Sequence, residues 1–150
     1  MVKSIVALAI AAVAGIAMAF QGALNASLGK ITGLLETAFI VHVIGSAIIA
    51  GLLFMPGLGQ GGLAKVISVP WYLLLGGPLS VIIIYGVVAS IARVGVAPAT
   101  TAIITGQVLT ALLIDNFGWF GLQRIELNWW KLLGLLIFAL GAKLLLARGS

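Results

Sequence analysis

Ionisable positions are rare in this chain, and they divide it into long apolar runs. Residues 4–29 carry no charge, 37–64 have only His42, and 66–92 and 94–114 carry no charge. Each run is longer than the roughly 20 mostly apolar residues that cross a bilayer core. A fifth run is interrupted by Lys131 and Lys143, whose stems can snorkel so that their amines reach the headgroups. The pattern predicts five spans, at about residues 4–28, 35–55, 71–92, 96–116 and 128–147. The runs do not alternate apolar and polar as barrel strands do. Helices satisfy every backbone group within the segment, so the spans are expected to be α-helical.

The intervening segments are short except for two. Met55 to Pro70 contains Gly57, Gly59, Gly61 and Gly62 and reads as a flexible loop. Phe117 to Asn128 mixes Trp119, Phe120, Leu122, Ile125 and Leu127 with Gln123, Arg124 and Glu126, and is expected at the interface as a short helix. Lys3, the following apolar residues and Ala17-Met18-Ala19 also match a cleavable secretory signal. Against cleavage, the apolar stretch continues past that site to Leu28.

Composition sharpens this picture. Hydrophobic residues make up 63% and charged residues 7%, against about 25% charged in a soluble globular domain. So few charges cannot coat a soluble domain of 150 residues. With no Cys and one His, neither a disulfide framework nor the usual metal site is expected, and no cofactor. The net charge of +5 comes from basic residues that stand singly, so no patch for nucleic acid forms. Nothing outside the spans is large enough for an enzyme active site, so an enzyme is not expected.

Orientation is governed by the distribution of those basic residues. The side holding the N-terminus, side A, also receives the 55–70 and 117–128 segments, with Lys3, Lys65, Arg124 and Lys131. Side B receives Lys30, Arg93, Lys143 and Arg148. The count is four against four. A chain without preference inserts both ways, and two opposed copies then form an antiparallel dimer, the unfused equivalent of an inverted repeat. The other reading is that one or two residues tip the balance. Trp71, Tyr72, Trp119, Trp129 and Trp130 fall on side A at span ends, where amphipathic rings settle at headgroup level.

Small residues mark packing seams between membrane helices. Gly15, Ala19, Gly22, Ala26 and Gly29 share one face of the first span, and Gly45, Gly134 and Gly141 look similar. Gly76-Gly77-Pro78 is expected to loosen or kink the third span. Gln21 and Asn25 lie one turn apart beside the first seam; they either bond a substrate or join helices. His42 faces the same way as Gly45 and Ser46, and histidine is the side chain suited to proton exchange near neutrality. Thr101, Thr105 and Asp115 lie along one stripe of the fourth span, with Gln107 about a quarter turn away. Asp115 either binds a cation, pairs with Arg124 or sits among headgroups. Glu36 and Arg93, at span ends, are expected to be solvated.

These residues carry a resemblance. Gly15, Gln21 and Asn25, then Gly45, then Trp71 with Gly76-Gly77, then Gly106-Gln107, Asp115 and Gly118, and finally Gly134 with Gly141 resemble the YdcZ (DUF606) family of the drug/metabolite transporter superfamily. The resemblance covers nearly the whole chain. It implies a bacterial inner-membrane half-transporter of five spans that works as an antiparallel homodimer, with an opposed homologue, or as a fused ten-span chain. It also implies an exporter. The four-span small multidrug exporters are similar in size, but they depend on a Glu in the first span, where this chain has only Gln21. Their carboxylate exchange is therefore disfavoured here.

The expectation is an all-α integral membrane protein of one five-span domain, half of a ten-helix inverted-repeat transporter. Its passage would lie between two opposed copies, lined by Gln21, Asn25, His42 and Gln107, with His42 or Asp115 carrying any proton or ion coupling. The expected partners are a second copy or opposed homologue, membrane lipids and a small-molecule substrate. The alternatives are a protein that moves lipid through a laterally open cavity and a membrane subunit that does not transport.

Overall fold

The computed structural model describes residues 2–147, with side chains from Ser4; the Lys3 and Arg148 side chains of the charge count lie outside that description. Among the described residues there are five α-helices: α1 (Val2–Thr32), α2 (Leu34–Leu53), α3 (Gly76–Val94), α4 (Val96–Phe117) and α5 (Trp129–Leu146). No strand occurs among the described residues. Five segments of the described residues are long and apolar enough to cross a membrane, namely Ser4–Thr32, Leu34–Leu53, Trp71–Val94, Val96–Phe117 and Trp129–Leu146. The all-α membrane architecture read from the sequence is therefore the observed one.

The differences lie at the ends and links. α1 continues through Lys30 to Thr32, because a lysine in the last turn complements the helix dipole rather than breaking the helix. The third span begins as a 3-10 helix, Trp71–Leu75, and becomes α-helical at Gly76. Pro78 then falls in the first turn of α3, where its missing N–H has no intrahelical acceptor to lose. The expected loosening is thus a change of helix type at Gly76, at the start of the α-helix. The glycine-rich segment contains a 3-10 helix over Gly62–Ser68. The helix expected within 117–128 is reduced to one 3-10 turn, Trp119–Gly121, followed by extended Leu122. Phe120 takes a left-handed φ of 60° there, which costs a non-glycine residue about 1–2 kcal/mol and does not propagate a helix.

Packing falls into two compact units, Met1–Ala89 and Ser90–Ser150. In the first, α1 and α2 pack together. Ala26, Thr37, Ala38 and Val88 are its most buried side chains, and a methyl added at Gly29 would meet Val88 Cγ1 at 2.7 Å. Thr37 is fully buried, and its hydroxyl donates to Gly33 O at 2.7 Å while lying 2.9 Å from Thr32 Oγ1. In the second unit α4 packs on α5, with Ile91, Ala99 and Ala142 buried. Most large apolar side chains are exposed, Leu8 at 70% and Phe20 at 67% among them. That surface suits lipid, which solvates apolar groups, and would be costly in water.

A single glycine makes each of two helix junctions. Gly33 (φ 102°) separates α1 from α2, and Gly95 (φ 90°) separates α3 from α4. At both, the glycine N–H bonds back four residues, to Gly29 O at 3.1 Å and to Ile91 O at 2.9 Å. Both glycine carbonyls then accept from four residues ahead, from Thr37 N at 3.1 Å and Ala99 N at 3.3 Å. Thr37 and Ala99 are buried at equivalent places, as are Ala26 and Val88 seven residues before their glycines.

Candidate functional site

The first unit carries three of the four expected lining residues. Gln21 is exposed on α1. One turn on, Asn25 is 8% exposed, yet its side chain makes no hydrogen bond within the described residues. No side-chain polar atom among them is both sealed from the surface and unbonded, so the Asn25 amide keeps an opening to the outside of the protomer.

His42 is half-buried on α2 and bonds to other groups than those amides. Its Nδ1 lies 2.7 Å from Ala38 O, one turn back on α2. Its Nε2 lies 2.9 Å from Ser80 Oγ on α3, and Ser80 Oγ is in turn 2.7 Å from Gly77 O. His42 therefore ties α2 to the N-terminal part of α3, a bond between neighbouring helices. Beside it runs an open groove of about 610 Å³, walled by Leu35, Phe39, Ile40 and Val81, with Glu36 and His42 as its ionisable groups. Glu36 is exposed, and its carboxylate folds back against Gly33. That is where an acid at the third helical position meets the free N–H groups and positive dipole end of α2.

The second unit carries Gln107 and Asp115. Gln107 is exposed, and its side chain makes no bond among the described residues. The hydroxyls of Thr101 and Thr105 turn back to their own helix, donating to Ala97 O at 2.9 Å and Thr101 O at 2.8 Å. A groove of about 630 Å³ runs beside them, lined by Ala102, Thr105, Ala139 and Lys143. The Asp115–Arg124 pair is not formed. Ile125 N bonds Asp115 O at 2.8 Å and Leu127 N bonds Asn116 Oδ1 at 3.2 Å, laying the segment along the end of α4. That brings Arg124 Nε to Asn116 O at 3.0 Å, a cation on the negative end of a helix. The guanidinium also stands 3.7 Å from Glu126, both well exposed, a pairing worth little. Arg93 is exposed, as expected.

Sequence reasoning missed Ser80 and the Thr32–Thr37 pair. A lone hydroxyl in an apolar run was the available signal, but hydroxyls so often bond their own helix that the signal does not separate Ser80 from Thr101.

Among the described residues, five apolar helices with lipid-suited surfaces define a multi-pass helical membrane protein. The sequence matches, over residues 6–144, the family described as "Putative inner membrane exporter, YdcZ", and the chain belongs to that family. It is a multi-pass inner-membrane protein and a membrane transporter, in a family that is not an enzyme class. No curated protein and no solved structure matches the chain.

Proposed function

We propose that the chain exports a small amphipathic solute as an antiparallel dimer. Two opposed five-helix units would rock around a shared polar passage, giving access to each side in turn. The observation that carries this reading is Asn25. An unbonded amide that opens onto hydrocarbon costs roughly 1–3 kcal/mol by mutational measures, because no water is there to relieve it. Such a group is retained where something outside the protomer completes its bonds. A solute or a second copy meets that requirement, and Gln21 lies one turn away with its amide exposed. The four-against-four distribution of basic residues supports opposed insertion. The unoccupied space around Gly15, Gly45, Gly134 and Gly141 leaves close-approach surfaces for another copy.

The test is Asn25→Leu in purified protein reconstituted into liposomes. Removing an amide that bonds nothing within its own protomer is neutral or favourable for the fold. The expected outcome is an unchanged or higher thermal midpoint with solute flux reduced at least about tenfold, equivalent to some 1.4 kcal/mol. Undiminished flux after Gln21, Asn25, His42 and Gln107 are all replaced by Ala, in folded protein, overturns the lining assignment. Absence of flux from wild-type protein with a broad set of solutes favours the non-transporting subunit. Lipid movement is a second reading, supported by the mostly apolar walls and open side of the α2–α3 groove; a fluorescent-lipid scrambling assay separates it from solute export.

A further inference from the structure

The chain Ala38 O, His42, Ser80, Gly77 O contains three close contacts, at 2.7, 2.9 and 2.7 Å. Each needs one hydrogen to be a hydrogen bond. Both terminal atoms are carbonyl oxygens and only accept. A neutral imidazole contributes one hydrogen and the serine hydroxyl one, so three contacts share two hydrogens. An imidazolium contributes two, and the count closes.

We propose that the His42–Ser80 pair is a proton-binding switch between α2 and α3. In the neutral form, Nδ1–H donates to Ala38 O, since that carbonyl has nothing to donate. Nε2 is then bare, and Ser80 O–H must choose between it and Gly77 O. When a proton arrives at Nε2, the new N–H donates to Ser80 Oγ. The hydroxyl hydrogen then turns to Gly77 O. One proton is taken up, no bond between heavy atoms changes, and the helix link becomes charge-assisted and therefore stronger. The rearranged hydroxyl bonds a carbonyl in the first turn of α3, directly before Pro78, where the 3-10 segment gives way to the α-helix.

The surroundings leave His42 as the group that switches. Glu36 shares the groove, but its carboxylate is turned to Gly33 at the end of α2. From α3 the imidazole meets Ser80, and Val81 lines the same groove; the ionisable groups of that helix, Tyr85 and Arg93, lie more than a turn further along. Lys30 is the ionisable side chain among the described residues of α1; it is exposed in the last turn of that helix, where α1 adjoins the start of α2. Coupling this switch to export rests on the function proposed above; the switch itself does not.

Because the chain has one histidine, a protein grown with ¹⁵N-histidine reports this imidazole alone. Spectra of the purified protein in lipid bilayers, taken over a pH series, should show a neutral form with Nδ1 protonated and Nε2 bare. Acid should convert it to a form with both nitrogens protonated. Ser80→Ala should move the Nε2 resonance and shift the pH at which the forms are equal, and Ser80→Thr should restore both. A neutral form protonated at Nε2, or spectra indifferent to Ser80→Ala, overturns the proposal. No transport is measured, so failure of the export reading leaves these spectra intact, and failure of the switch shows in them alone.

Discussion

A threonine with no exposed surface holds the first junction together. Thr37 Oγ1 donates to Gly33 O and lies 2.9 Å from Thr32 Oγ1, whose single hydrogen serves either that contact or Leu28 O at 3.1 Å. The two hydroxyls are therefore unequal. Thr37→Val should lower the stability of the purified protein by about 1–3 kcal/mol, since it removes a fully buried hydroxyl that bonds Gly33 O and neighbours Thr32 Oγ1. Thr32→Val should cost less, because that side chain is only half-buried. Thermal midpoints in detergent decide it, and equal losses would refute the ranking. At this scale the sequence was partly readable. Polar residues in charge-free runs marked Gln21, Asn25 and His42, because lipid makes every such group conspicuous. Their partners were hidden, because a bond from His42 to Ser80 spans 38 positions and leaves no periodic trace.

At the scale of elements, the two one-residue junctions and the two long links divide the connections into different kinds. The apolar runs fixed where all five helices lie, since length and hydrophobicity alone decide a span. They did not fix how the helices meet. Both junctions need a backbone that L-residues resist, with φ 102° at Gly33 and 90° at Gly95. The surroundings differ: a Cβ on Gly33 would run into the Glu36 carboxylate, whereas one on Gly95 would rest 3.9 Å from Pro98. Gly33→Ala and Gly95→Ala should each pay about 1–2 kcal/mol of backbone strain. Gly33→Ala should pay more, because it also evicts the Glu36 carboxylate from the start of α2. The comparison of melting midpoints tests this, and Gly33→Ala in a Glu36→Ala background should fall back to the Gly95→Ala cost. The 117–128 segment escaped sequence reading for a similar reason. Its apolar spacing suited a helix, but hydrogen bonds to the end of α4 from Arg124, Ile125 and Leu127 hold it extended.

For the whole molecule, the proposed antiparallel pair makes orientation the property that matters most. A single Cys in this Cys-free chain reports it, and Gly62 is the place, because a side chain there meets nothing within 4 Å. At nearby Gly59 a Cβ would strike the Leu53 carbonyl, so labelling there would report a disturbed loop. Gly62→Cys should label from both faces of intact cells. The stronger test uses the balance of charges itself. Gly62→Lys with Lys30→Gln turns four against four into five against three in favour of side A, and Ile31→Lys with Lys65→Gln does the reverse. Ile31 is 85% exposed, so the change touches no packing. Each variant should insert one way, with side A in the cytoplasm for the first and side B for the second. Each alone should then lack flux, because its copies all point alike, and the two made together should regain it. A variant that transports alone while fixed in one orientation refutes the antiparallel pair and leaves the inner-membrane transporter in place.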